Sequence, residues 1–217
     1  MDQLITQKIE SFFIEYPKQK YKKGKLLILA DNNPKSIYFL KKGIVKSYHI
    51  SKNGQEVTLN MFKPNTFFPM SYALNNTPNR HYFETMTECI IYKAPKEDVL
   101  KFIKQEPDIL LDLLKRVYIG IEGLCMHIEY LSAGTASEKL IATILILGKR
   151  FGKEENGETT IQLKMNEKEL GEYAGINRET VSRELRKLKE KKIVFFTRGI
   201  ITIPDLKRLE KIYQYNH

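Results

Sequence analysis

The chain has 217 residues, 42% apolar, 29% charged and 11% aromatic, a make-up that allows one or two globular domains and argues against global disorder. Thirty-six Lys and Arg against 26 Asp and Glu give a net charge of +10, which favours a polyanionic partner, either nucleic acid or an anionic membrane surface. Two cysteines, Cys89 and Cys125, exclude a disulfide framework and any all-cysteine zinc or iron–sulfur site within one chain. The best apolar run, Leu140–Leu147, is far shorter than the roughly 18–20 residues of a membrane span, so no membrane partner is expected. The start, Met1-Asp2-Gln3-Leu4, lacks the layout of a signal peptide, and a cytoplasmic location is the expectation.

Residues 2–16 space Leu4, Ile5, Ile9, Phe12 and Phe13 as a helix does. From Lys20 to about Pro95 short apolar runs alternate with turn signals: Lys23-Gly24, Asn32-Asn33-Pro34, Lys42-Gly43, Asn53-Gly54, Lys63-Pro64-Asn65 and Asn75–Asn79. Asn53-Gly54, between Val45–Ile50 and Glu56–Met61, reads as a hairpin, since both residues tolerate the positive φ of a type I′ turn. Short strands at such spacing predict a β-sandwich or barrel.

After Pro95 the pattern is helical. Leu110, Leu114, Val117, Ile121, Leu124, Ile128 and Leu131 recur at alternating steps of four and three, a coiled-coil seam. Ile109, Leu113 and Ile119 widen the apolar surface, so one face is expected on the chain's own barrel and the seam on a second copy of the chain. Ala133-Gly134 ends this helix. Thr135-Ala136-Ser137-Glu138 has capping-box spacing and opens the next. A domain boundary is therefore expected at about 133–135, dividing the chain into 1–106, a long helix and hinge over 107–133, and 134–217. The expected fold class is α+β.

The segment Leu163–Lys189 carries the most information. Asn166 caps a short helix, Glu167–Ala174; Gly175 supplies a tight turn; Asn177 caps a second helix, Arg178–Lys191. Leu170, Ala174, Ile176, Val181, Leu185 and Leu188 make a shared core. This spacing predicts a helix–turn–helix, whose second helix enters the DNA major groove N-terminal end first. Its exposed face offers Arg178, Glu179, Ser182 and Arg183: Arg can bridge guanine O6 and N7, and Glu can accept from cytosine N4. Hydroxyls such as Thr180 and helix N-termini suit phosphates. Ile193–Phe196 and Ile200–Ile203, joined by Thr197-Arg198-Gly199, predict a hairpin wing. The window Asn177–Lys192 holds seven basic and three acidic residues, a strongly basic stretch late in the chain.

Gly171–Lys192, above all Arg178-Glu179-Thr180-Val181-Ser182-Arg183, closely resembles the winged-helix module of the Crp/Fnr superfamily of bacterial transcription regulators. The resemblance extends over nearly the whole chain. Lys23–Lys96, with Gly24, Ile37-Tyr38-Phe39-Leu40, Gly43 and Gly54, is similar to the superfamily's cyclic-nucleotide-binding-type β-roll, a jelly-roll-like double-stranded β-helix. Residues 107–132 are similar to its dimer helix. The resemblance implies base reading by Arg178, Glu179, Ser182 and Arg183. It implies phosphate contacts from Asn166, Asn177 and Thr180, to which Lys187 and the wing residue Arg198 are added as basic candidates. It also implies double-stranded DNA as partner, a palindrome with TGTGA-like half-sites, and RNA polymerase as a further partner if the protein is an activator.

The sequence departs from the nucleotide-binding members in two places. Their Gly-Glu-Leu turn is replaced by Phe67-Phe68-Pro69-Met70-Ser71-Tyr72, with no glycine to let backbone approach a phosphate and no carboxylate for a ribose. Arg80 survives near their second motif but is followed by His81-Tyr82. These departures argue against cAMP. Two cysteines cannot hold the four-cysteine cluster of the oxygen-sensing branch, and the separated His49, His81, His127 and His217 argue against haem and against a metal site. Candidates for a non-nucleotide effector pocket are Phe68, Met70, Tyr72, Arg80, Tyr82, Leu124 and Cys125, and the redox candidates are Cys89 and Cys125. The effector itself stays open. No enzyme motif is present: no G-x-S-x-G, P-loop or H-E-x-x-H. The alternative is a ligand-binding regulatory module whose basic C-terminal domain contacts a protein rather than DNA.

Overall fold

The computed structural model describes residues 3–132 and 134–215, with the side chains of 126, 127, 129–132, 214 and 215 left out of the description. The chain forms two compact units, residues 1–120 and 121–217.

In the first unit, helix α1 (Gln3–Ile14) precedes eight strands: β1 (Lys18–Tyr21), β2 (Leu26–Ile28), β3 (Ser36–Lys42), β4 (Val45–Ile50), β5 (Glu56–Phe62), β6 (Thr66–Phe68), β7 (Tyr82–Thr85) and β8 (Cys89–Pro95). A short helix α2 (Met70–Asn75) lies between β6 and β7, and helices α3 (Lys96–Gln105) and α4 (Pro107–Ser132) follow. The strands make two antiparallel sheets, ordered β1-β8-β3-β6 and β2-β7-β4-β5. The run Ile37-Tyr38-Phe39-Leu40 does not alternate in polarity because β3 is buried on both faces. Ile37 and Phe39 join Ile9 and Phe13 of α1, Val99 and Ile103 of α3, and Ile109 of α4 in one core. Tyr38 and Leu40 face the other way and join Phe68, Cys89 and Ile91 with Ile28, Val45 and Phe83 of the second sheet. This inter-sheet core is aromatic. Phe68 stacks on Phe83 with ring centroids 5.3 Å apart and planes 3° from parallel, and on Tyr38 at 5.7 Å.

The hairpin expected at Asn53-Gly54 forms between β4 and β5, but its turn differs from the expected type I′. Ser51 to Gln55 make a longer loop, closed by Gly54 N–H to Ser51 C=O and Ser51 N–H to Gln55 C=O. Gly54 alone takes the left-handed conformation, at φ 75°, and Asn53 does not. A two-residue left-handed pair occurs at another Asn-Gly, Asn156-Gly157, φ 53° and 83°, which joins β9 (Gly152–Glu155) to β10 (Glu158–Ile161). The sequence carries the same Asn-Gly signal here as at Asn53-Gly54.

Along α4, Ile109 is buried and Leu113 packs on the helical side of the barrel. Ile119 is exposed, and so are Leu110, Leu114, Val117, Ile121, Leu124 and Ile128, each by about half or more of its surface. Leu131 lies outside the described side chains. No helix among the described residues is long and apolar enough to cross a membrane.

The second unit opens with α5 (Ala136–Phe151), started by the expected capping box: Thr135 accepts from Glu138 N–H, and Glu138 accepts from Thr135 N–H at 2.7 Å. The apolar run Leu140–Leu147 is the centre of this unit's core, buried on nearly every side. There follow β9, β10, α6 (Glu167–Ala174), α7 (Arg178–Glu190), β11 (Phe195–Thr197), β12 (Ile200–Ile203) and α8 (Leu206–Tyr215), with the sheet ordered β11-β12-β10-β9.

Phe68→Ala should therefore destabilise the protein by about 3–5 kcal/mol in chemical denaturation, as a fully packed core aromatic does. A loss below about 1 kcal/mol would show that Phe68 borders an open cavity instead.

Candidate nucleic-acid interface

Two asparagine caps set the geometry of this surface. Asn166 accepts from Glu169 N–H at 2.9 Å, and Glu169 accepts from Asn166 N–H at 2.8 Å, a capping box that starts α6. Gly175 ends α6 in the left-handed conformation at φ 67°. Asn177 then accepts from Thr180 N–H at 2.8 Å and starts α7 at Arg178. Gly171, inside α6, is required by the close approach of the turn: a Cβ there would lie 2.5 Å from Ile176 O. Each asparagine uses its carbonyl oxygen for the cap, which leaves the amide Nδ2 as the donor for an external acceptor.

The inner face of α7 buries Val181, Glu184, Leu185 and Leu188. Leu170 and Ala174 of α6 are also buried, while Ile176 is half-buried. On the outer face, Arg178, Glu179 and Arg183 are exposed and Ser182 is half-buried. These four side chains, with Glu167 and Arg186, line a single open depression of about 300 Å³. Carboxylates border the cations. Glu167 Oε2 is 3.5 Å from Arg178 Nε. Glu184 Oε1 accepts from Arg183 Nε at 3.3 Å and from Lys187 Nζ at 2.9 Å. Burial pushes the Glu184 carboxyl up, but the hydrogen bonds from Lys187 and Arg183 outweigh it and hold the group below its ordinary value. Arg186, Glu167 and Glu184 are absent from the sequence-based set. Glu184 was detectable, because a carboxylate three residues after Val181 falls in the apolar stripe of α7.

α7 ends one residue before the expected Lys191. Lys192 takes the left-handed position at φ 54°, where glycine is usual, while its N–H bonds Lys189 O at 3.0 Å and Ile193 N–H bonds Leu188 O at 2.9 Å. The chain then reaches the wing, whose second strand has the expected bounds while the first starts later than expected: Ile193 and Val194 are buried in the link, and β11 begins at Phe195. The turn is Arg198-Gly199, both left-handed at φ 52° and 81°, so Thr197 belongs to the strand and pairs with Ile200. Met165 N–H donates to Gly199 O at 2.9 Å, which fastens the wing turn to the residue before the Asn166 cap. Arg198 is exposed beside it.

The residues named for an effector are not gathered in the same way. Phe68 lies in the inter-sheet core and Met70 packs on the separate helical-side core. Tyr72 is half-buried with Lys96 Nζ 4.6 Å from its ring centroid, Arg80 is exposed, and Tyr82 stacks on Tyr48 at 5.2 Å. Leu124 and Cys125 are exposed on α4. Cys89 is buried, and burial pushes its thiol up, away from the reactive thiolate. His49, though separate in the sequence, lies close enough to act on His81. Burial, then His49 and Arg80, pull His81 below its ordinary value, and its Nδ1 is enclosed without a hydrogen-bond partner. His217 and the His127 side chain lie outside the description. Among the described residues no group of three His, Cys, Asp or Glu is placed to hold a metal.

A β-barrel unit joined by a long helix to a helix–turn–helix with a wing defines a DNA-binding transcription regulator, a non-enzymatic class. Two family descriptions match, a cyclic nucleotide-binding domain over residues 18–106 and a Crp-like helix-turn-helix domain over residues 138–212. The chain belongs to the Crp/Fnr family of transcription regulators. It is 28% identical over 187 residues to the global nitrogen regulator of a Nostoc species, covering 85% of this chain and 84% of that one. It is 27% identical over 214 residues to the global nitrogen regulator of a Synechocystis species, covering 94% and 95%. Among solved structures, a CooA mutant from Carboxydothermus hydrogenoformans shares the fold with a TM-score of 0.79 at 20% identity, over 94% of this chain and 90% of that one.

Asn177→Ala should lower stability by about 1 kcal/mol in urea denaturation, as loss of an N-cap does. It should weaken DNA binding by more than that loss alone accounts for, because the cap sets where α7 begins.

Proposed function

We propose that the protein is a homodimeric regulator that reads a two-fold palindrome with TGTGA-like half-sites. The supporting observation is the convergence of Arg178, Glu179, Ser182 and Arg183 on one open depression at the start of a capped helix. Arg178 and Arg183 supply bidentate donors for guanine, Glu179 an acceptor for cytosine N4, and Ser182 a hydroxyl for either. Asn166, Asn177, Thr180, Lys187 and Arg198 supply phosphate contacts that fix register without reading sequence. The domains follow as a sensor over 1–106, a dimerisation helix and hinge over 107–133, and a DNA-binding domain over 134–217. The exposed apolar stripe Leu110, Leu114, Val117, Ile121, Leu124 and Ile128, continued by Leu131, is the dimer seam. Pairing along it presents two copies of α7 to successive major grooves, about 34 Å apart.

The β-roll acts as a sensor of something other than a cyclic nucleotide. The stacked rings of Phe68, Phe83 and Tyr38 occupy the space between the sheets, and Phe67-Phe68-Pro69-Met70 offers no glycine for a phosphate. A non-nucleotide effector at the β-roll, or oxidation of a thiol, shifts the α4 pair and with it the spacing of the two reading helices. Exposed Cys125 suits the redox role better than buried Cys89. RNA polymerase is a further partner if the protein activates.

Selection from random duplex DNA with purified protein should return a TGTGA-like palindrome. Recovery of unrelated single half-sites would overturn the dimeric reading. Against the selected site, Arg183→Ala should cost about 1–3 kcal/mol and relax preference at one base per half-site. If binding falls equally on all sequences, Arg183 only attracts phosphate, and full retention of binding would favour a protein partner for this domain. Ile121→Asp should convert the dimer to monomer in sedimentation, and an intact dimer would remove the seam.

A further inference from the structure

We infer that Glu184 is a positioning residue for sequence reading: its buried carboxylate fixes Arg183 through Nε and holds Lys187 beside it. The inference rests on the base-reading role proposed for Arg183.

Glu184 occupies a core position. It lies on the same face of α7 as Val181, Leu185 and Leu188, and only 4% of its surface is exposed. An ionised carboxylate at such a position carries a large desolvation penalty unless it is paired. Here Oε1 is paired twice, to Arg183 Nε at 3.3 Å and Lys187 Nζ at 2.9 Å, while Oε2 is enclosed with no partner. An apolar residue would satisfy packing at this position better than a half-satisfied charge does. The carboxylate instead does something an apolar residue cannot: it grips cations whose ends face solvent, with 61% of the Arg183 side chain and 57% of the Lys187 side chain exposed.

The atom it grips matters. A guanidinium bound through Nε keeps both terminal NH2 groups, whose parallel donors match guanine O6 and N7. A long exposed side chain otherwise samples many rotamers and loses that freedom on binding. Anchoring at Nε removes part of this loss before DNA arrives. Arg178, the other arginine of the depression, forms a looser ion pair with Glu167, its Nε 3.5 Å from Oε2. Glu184 also cancels one positive charge beside the phosphates. It therefore favours discrimination over bulk attraction, since non-specific affinity follows the number of phosphates neutralised.

The test compares full-length wild-type protein, Glu184→Gln, Glu184→Met and Arg183→Ala on the selected palindrome, on the palindrome changed at the base Arg183 reads, and on random duplex. Glu184→Gln keeps shape and loses charge; Glu184→Met fills the position with an apolar chain and keeps the domain folded if Gln does not. Both should lower the preference for the correct base by about tenfold, at the same position that Arg183→Ala relaxes. Binding to random duplex should be unchanged or tighter. In the Arg183→Ala background, Glu184→Gln should add no further loss of preference. Preference at the wild-type level in both Glu184 variants, beside a loss in Arg183→Ala, would overturn the inference while leaving the base-reading role intact. No change of base preference in Arg183→Ala would overturn the base-reading role, and the inference with it. Equal weakening on all three duplexes, tracking a fall in melting temperature, would reduce Glu184 to a structural residue.

Discussion

The hydrogen bond from Thr180 N–H to the Asn177 side chain is the interaction on which the rest of the reading surface depends. It fixes the residue at which α7 begins, and a helix that begins at Arg178 must bury residues 181, 185 and 188 and present 178, 179, 182 and 183. Beginning one residue later would turn every side chain by about 100° and move Arg183 off the position it now holds. Two further contacts hold the start in place. Gly171 lets Ile176 O approach the backbone of α6, and Met165 N–H ties the wing turn to the α6 cap. The wing, α6 and α7 are thus joined through backbone hydrogen bonds at their ends, where side-chain substitutions disturb them least. This is how a small domain holds base-contacting groups on rigid elements with a shared origin.

The first unit is governed by a different constraint. Its first sheet is buried on both faces, so β3 and β8 carry apolar side chains on consecutive residues. One face closes against α1, α3 and the start of α4, and the other against the aromatic inter-sheet core. The rings of Phe68, Phe83 and Tyr38 fill volume that a polar ligand would need. Because interiors are close-packed, an effector that enters this unit must displace a side chain or bind outside the stack. A displaced ring of that size moves its neighbours, and Ile109, at the root of α4, is among the residues of the adjoining core.

How much of this was legible in the sequence differs by element. The start of α7 and its outward residues Arg178, Glu179 and Arg183 were legible, because caps, turn glycine and apolar spacing are local signals that lie within a few residues of one another, whereas Glu167, Glu184 and Arg186 beside them were not. The same holds for the Thr135 capping box. The turn at Asn53-Gly54 was legible as a hairpin but not in its type, since loop length depends on where strand pairing stops, and here it stops at Ile50 opposite Glu56. The C-terminus of α7 hid behind Lys192, a residue without glycine's freedom that nonetheless takes the left-handed position. The effector candidates were the least legible. Phe68 and Met70 are neighbours in sequence but belong to opposite cores, because a strand alternates its side chains and helix α2 begins at once after it.

The charge distribution joins the two levels. A net charge of +10 would by itself produce a protein that adheres to any polyanion. On α7 the cations are not left to act as a uniform field. Glu167 and Glu184 each stand within 3.5 Å of an arginine Nε, and Glu179 shares the same depression. Carboxylates at these places weaken attraction to phosphate and narrow the directions in which the guanidinium groups can donate. Affinity supplied by phosphate neutralisation falls steeply with salt, whereas hydrogen bonds to base edges are less dependent on counterion release. On the proposed reading, arginines held by carboxylates inside a basic chain separate two tasks, with the surrounding positive charge drawing DNA in and the held groups discriminating between sequences.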